Sequence, residues 1–250
     1  MTPGVYVYGV VEAGSVAGIA ADGIGGSPPA LLCVGDLTAI VGGVDVAEFE
    51  GEALERNVAS PEWLEQKVRA HEAVLEAVLA RAAVVPMRFG SIFSSPAGLQ
   101  RMLTEHAAEF HTALARVRGR TEWGVKLHCD GGRVVESLAG APADTPSGRG
   151  YLEQRKTQLD ARARAADVAD EVAAEAHESL AALADDAVAA VPRSGEVLNG
   201  AYLVRDEERT AFMRRVEELQ LAHAGAFVFE VTGPWPPYNF TNADVGGPAA

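Results

Sequence analysis

The chain has 250 residues, 48% of them hydrophobic and 22% charged, enough to bury a substantial core as one large or two small domains. Thirty-five acidic against 21 basic residues leave a formal charge of -14, which repels polyphosphates and anionic headgroups and speaks against nucleic acid or a lipid membrane as a partner. Cys33 and Cys129 have no CxxC or Cys/His ligand spacing, so neither a disulfide framework nor a zinc site is expected and both read as small core residues. No stretch approaches about eighteen unbroken apolar residues, and the N-terminus lacks a signal-peptide pattern, so the expected compartment is the cytoplasm.

Residues 5–11 are a β-branched and aromatic run that predicts a strand; the Gly/Ala/Ser-rich residues 12–30 predict a loop with too little apolar surface for a core element. Residues 31–34 and 37–41 flank Gly35-Asp36 and predict a hairpin. Ser60-Pro61-Glu62 is a helix start, followed by one apolar stripe of Leu64, Val68, His71, Leu75 and Val78. A strand is predicted at 83–87. Ser95-Pro96 then starts a second helix, striped by Leu99, Leu103, His106, Phe110, Leu114 and Val117. From Glu122 to Asp130 the period is two, with Trp123, Val125, Leu127 and Cys129 on one side.

This β, β, α, β, α, β succession predicts an α+β fold: a ferredoxin-like sandwich over residues 1–138, with helices covering one face of a mainly antiparallel sheet. The Pro/Gly-rich segment within 139–150 predicts a linker. A second α+β domain is expected at 151–240. It opens with an Ala-dense helix from Tyr151 to Ala190, about 60 Å long and closed by Pro192. The charges of that helix, basic first and acidic second, oppose its dipole, which calls either for packing on another helix or for a charged partner. A strand at 197–205, a helix opened by Asp206-Glu207-Glu208 with Phe212, Val216 and Leu219 inward, and a strand at 226–231 complete the domain before a tail at 241–250.

Catalytic signals are weak. His71-Glu72 would begin a zinc-protease helix, but Leu75 stands where its second His is required, so His71 reads as a buried histidine bonded within its own fold. His106 and His111 are five apart, a poor spacing for shared ligation on one helix face. The glycines of residues 23–26 lack the P-loop Lys, and no Gly-x-Ser-x-Gly elbow occurs. No catalytic, metal-binding or cofactor-binding residue is therefore assigned, and no cofactor is expected.

Two stretches stand out. In Val85-Pro86-Met87-Arg88-Phe89-Gly90 a strand runs into an Arg between apolar neighbours, whose charge requires a partner. Gly233-Pro234-Trp235-Pro236-Pro237-Tyr238-Asn239-Phe240 predicts an extended polyproline-like run, unable to continue a sheet, that either packs on its own domain or docks another protein. Arg88, Phe89, Pro234, Trp235, Pro236, Pro237 and Tyr238 are the candidate partner-binding residues.

Six segments resemble signature stretches of the GvpF/GvpL family of gas-vesicle proteins: VYGVV at 7–11, VPMRFG at 85–90, EWGVKL at 122–127, SGRGYL at 147–152, LNGAYLV at 198–204 and GPWPPYNF at 233–240. The resemblance implies a minor, non-catalytic protein of gas-vesicle assembly with an N-terminal ferredoxin-like domain and a C-terminal α+β domain. It also implies binding to the major gas-vesicle shell protein, a small and very hydrophobic subunit, and to other gas-vesicle accessory proteins. A small-molecule-sensing regulatory protein is the alternative, and an enzyme comes third.

Overall fold

The structure, a computed structural model, describes residues 2–139 and 148–241, with side chains described outside 148–154. The expected linker therefore lies mostly outside the described residues, as does the tail from 242 onward. Two compact units are present: the chain up to Thr121 together with Trp235 onward, and Glu122–Pro234.

In the first unit β1 (Pro3–Glu12) pairs antiparallel with β3 (Leu37–Asp45), and β2 (Ala30–Val34) pairs with β3 across the expected Gly35-Asp36 turn. Short strands β4 (Val85–Pro86) and β5 (Ile92–Phe93) line the other side of β1, giving the order β2-β3-β1-β4. A register shift between Val7 and Gly9 inserts one residue into β1, so Tyr6, Tyr8 and Val11 face one way while Val7 and Val10 face the other. Both faces are buried, and here the structure differs from the sequence reading. α2 (Pro61–Leu79) packs with the Tyr6 face, and α3 (Pro96–Glu105) and α4 (Ala107–Val117) pack with the Val7 face, instead of all helices sharing one side. The physical cause is β1 itself, apolar at nearly every position and needing cover on both sides.

Ser60 accepts a hydrogen bond from the Trp63 N–H and Ser95 one from the Gly98 N–H, so both predicted helix starts are capped. Val74, Leu75 and Val78 of α2 are fully buried, each contributing about 1.5–3 kcal/mol. A short helix α1 (Gly51–Val58) precedes α2. The single helix predicted after Ser95 breaks at His106, whose backbone leaves the helical region at φ -107, ψ 17. Residues 12–30 are not the coreless loop expected: Val16, Ile19 and Ile24 are buried against the α2 face.

The second unit begins with the strand that the sequence placed in the first. β6 (Arg120–Cys129) lies between β8 (Glu196–Arg205) and β9 (Phe227–Trp235), in a sheet of order β7-β8-β6-β9 whose edge strand β7 is Asp186–Ala189. The helices here are α5 (Gly131–Ala139), α6 (Gly148–Ala181) and α7 (Arg209–Ala222). Residues from all three join Trp123, Val125 and Leu127 of β6 in one core on one face of the sheet. Leaving the short α5 aside, β6, α6, β7, β8, α7 and β9 make a βαββαβ succession in this unit, whereas the sequence reading put its ferredoxin-like sandwich, as β, β, α, β, α, β, in residues 1–138.

The long helix ends at Ala181, not at Ala190, because Asp186–Ala189 forms β7 on the edge of β8, from Asp186↔Leu203 to Ala189↔Gly200. The ladder offered by β8 outweighs the modest helix preference of a few alanines. The acidic half of α6 finds compensation on α7, where Arg215 lies 3.8 Å from the Glu175 carboxylate. Both cysteines depart from the core reading: Cys33 is exposed and Cys129 only partly buried.

Candidate partner-binding site

Tyr6 and Tyr8, two residues apart on β1, share one face of the first sheet by strand alternation, and α2 brings His71 and Glu72 to the same place. His71 is 1% exposed. Its ring stacks on Tyr8 at 5.7 Å and meets Tyr6 and Phe89 edge-on at 5.7 and 5.9 Å. Both ring nitrogens are bonded within the fold, as the sequence reading expects: Nδ1 to the Tyr6 hydroxyl at 2.9 Å and Nε2 to the Tyr238 hydroxyl at 2.9 Å.

Proton roles follow from the far end. Tyr238 donates its only proton to Glu72 Oε1 at 3.0 Å, so it accepts from His71 Nε2–H. Nδ1 is then the acceptor for the Tyr6 hydroxyl, which itself accepts from the Gly90 N–H at 3.1 Å. Burial holds the His71 pKa down at about 4, so the ring is neutral at pH 7. Burial also pushes the Glu72 carboxyl up, helped by nearby Glu76 and opposed by the Tyr238 hydroxyl. Among the described residues, Glu72 Oε2 is buried with no hydrogen-bond partner.

Two of the unusual sequence stretches thus meet on one histidine. VPMRFG supplies Phe89 and the Gly90 N–H; Gly90, at φ 86, takes a conformation that favours glycine. Arg88 is exposed, and its carbonyl accepts from the Ser91 N–H and hydroxyl. GPWPPYNF supplies Tyr238, but its shape differs from an extended rod. β9 runs through Pro234 to Trp235, which an edge strand tolerates because an outward-facing residue needs no N–H for the ladder. The chain then folds back, with the Tyr238 N–H on Pro236 O at 2.7 Å and the Phe240 and Thr241 N–H groups on Pro237 O at 3.1 and 3.2 Å. Prolines lose their donors and keep their acceptors, which is why the remaining donors close this turn.

Pro236, Pro237 and Phe240 are buried, whereas Trp235 and Tyr238 are partly exposed and Pro234 is exposed.

The weaker sequence signals resolve into structure. The Gly23 and Gly26 N–H groups bond within their own turn and the Ile24 N–H donates to the Tyr8 hydroxyl, leaving those donors spent. His106 pairs with Glu109 and His111 with Asp36, each at 3.1 Å. Among the described residues no group of three or more His, Cys, Asp or Glu is placed to hold a metal ion. No described helix is long and apolar enough to cross a membrane.

The second unit repeats the pairing of a strand tyrosine with a helix histidine. Tyr202 on β8 is fully buried, its hydroxyl 2.9 Å from His177 Nδ1 on α6, and burial raises its pKa. Gly200 permits this, since a Cβ there would come within 2.6 Å of the Tyr202 hydroxyl. Neither His71 nor Glu72 was assigned to the site from sequence; the visible signal was a histidine on an otherwise apolar helix stripe.

These features define an α+β protein of two units whose most distinctive polar cluster anchors chain segments. The chain belongs to the GvpL/GvpF family: the model described as "Gas vesicle synthesis protein GvpL/GvpF" matches residues 4–242. It is 33% identical to gas vesicle protein L of Streptomyces sp. (strain CB03234), covering 94% of this chain and 91% of that protein. It is 26% identical to gas vesicle protein F2 of Halobacterium salinarum, covering 98% and 95%. The fold is shared with the crystal structure of GvpF from Anabaena sp. PCC7120, at TM-score 0.71 and 18% identity over 96% of each chain. GvpF from Microcystis aeruginosa aligns at TM-score 0.70 and 17% identity, over 95% of this chain and 98% of that one.

Proposed function

We propose that this protein is a non-catalytic accessory factor of gas-vesicle assembly, acting in the cytoplasm and at the vesicle, which binds the major gas-vesicle shell protein and other gas-vesicle accessory proteins to nucleate or chaperone assembly. The observation that carries the reading is the convergence of VPMRFG and GPWPPYNF on His71, with Trp235 and Arg88 left toward solvent. A small, very hydrophobic subunit needs a soluble binder before it enters a rib, and a carrier of net charge -14 stays dispersed while holding it. A partly exposed Trp and an exposed Arg are residue types enriched at binding hot spots.

Trp235→Ala is the sharper probe, because Tyr238 also braces the fold through His71 and Glu72. Capture of the purified shell protein should weaken by about thirtyfold, the equivalent of about 2 kcal/mol, with an unchanged melting temperature. Full-strength capture by a folded Trp235→Ala protein would refute the docking role.

A further inference from the structure

The polar path beneath the candidate site is continuous and has one direction. It runs from the Gly90 N–H to the Tyr6 hydroxyl, from Tyr6 to His71 Nδ1, from His71 Nε2–H to the Tyr238 hydroxyl, and from Tyr238 to Glu72 Oε1, at 3.1, 2.9, 2.9 and 3.0 Å. Each interior member can accept one bond along the path and donate the next, so the Glu72 carboxylate at the end favours a single proton arrangement along it. Losing one link leaves a buried donor or acceptor unmatched at the next.

Such a path is not the cheapest way to fill a core. Tyr6 is 0% exposed and lies among Tyr8, Phe49 and Phe89, where apolar side chains alone would pack. What apolar packing lacks is direction. Hydrogen bonds fix where the Gly90 N–H and the Tyr238 hydroxyl stand relative to a common ring, and these two groups belong to the loop carrying Arg88 and to the segment carrying Trp235.

We infer that Tyr6, His71 and Glu72 are positioning residues for the partner surface: the hydrogen-bonded path from Gly90 to Glu72 holds the Arg88–Gly90 loop and the Trp235–Tyr238 segment in one geometry, so that both meet the same apolar protein subunit. This rests on the docking reading of Trp235 above. It assigns to three residues inside the first unit, none of which touches the partner, control over how well the surface binds.

The test uses the full chain and two readouts. Glu72→Gln keeps an acceptor for the Tyr238 hydroxyl, whereas Glu72→Leu removes it; Glu72 is only partly buried, so neither change opens the core. In amide NMR spectra of the free protein, Glu72→Leu should shift the Gly90 resonance and Glu72→Gln should leave it nearly in place. In capture of the purified shell protein, Glu72→Leu should weaken binding about tenfold and Glu72→Gln should restore it. Tyr6→Phe, which deletes a link and keeps the ring, should match Glu72→Leu in both readouts.

A Gly90 resonance unmoved by Glu72→Leu overturns the path itself. Equal capture by the Leu and Gln variants, with Trp235→Ala still defective, overturns its positioning role and leaves the docking reading standing. Undiminished capture by Trp235→Ala removes the docking reading first, and the Gly90 shift then reports the path on its own.

Discussion

His71 should make the stability of this protein depend on pH in a way one substitution removes. An ordinary imidazole titrates near 6.5, and burial brings His71 down to about 4 in the folded chain. Between these values the unfolded chain binds a proton that the folded chain refuses, so stability rises with pH through this window. The stabilisation is fully present above pH 6.5 and is lost as pH falls toward 4. At about 1.4 kcal/mol per pKa unit the loss amounts to about 3 kcal/mol, or about 1 M in a urea midpoint for a chain of this size. Glu72 acts in the opposite sense. Its folded pKa is raised, so ionising it above its ordinary value near 4.5 costs stability that returns on acidification. His71→Gln retains Glu72 and every other titrating group and deletes only the imidazole. Urea unfolding followed by circular dichroism at several pH values from 7 to 4.5 should show the wild-type midpoint falling more steeply than that of His71→Gln. Parallel pH profiles for the two proteins would refute the buried neutral histidine and the proton order assigned to its neighbours.

Gly9→Ala should destabilise the first unit by about 1–3 kcal/mol, because its Cβ would stand 2.8 Å from Val84 Cγ2, 3.0 Å from the Val85 carbonyl and 3.1 Å from Leu75 Cδ2; an unchanged thermal melt would contradict the close approach of β1 and α2. Ser95→Ala removes the acceptor for the Gly98 N–H and should cost about 1 kcal/mol in chemical denaturation, with no change in shell-protein capture. Limited proteolysis should spare residues 13–29, whose Val16, Ile19 and Ile24 are buried; early cleavage there would show that this segment opens without the rest of the core. Chelation with EDTA should leave the melting temperature unchanged, and a loss of several degrees would reveal a metal in the fold.

Local chemistry was enough to read much of this protein from its sequence. The hairpin at Gly35-Asp36 and the helices behind Ser60-Pro61 and Ser95-Pro96 are specified by residues a few positions apart, because turn geometry and capping are short-range. His71 could be read as a buried, internally bonded residue because it interrupts an apolar stripe, and the family was legible in six segments spread along the chain. Assignments depending on distant partners were decided only by the tertiary structure. Residues 186–189 are alanine-rich enough for helix, and the edge of β8 makes them a strand. β6 follows α4 directly in sequence yet joins the second sheet, since its apolar side Trp123, Val125 and Leu127 is matched by the faces of α6 and α7. Tyr238 shows the same limit at the site: a proline-rich run declares that it cannot donate backbone hydrogen bonds, but which histidine and which carboxylate receive its tyrosine depends on β1, α2 and the 85–90 loop having already come together in space.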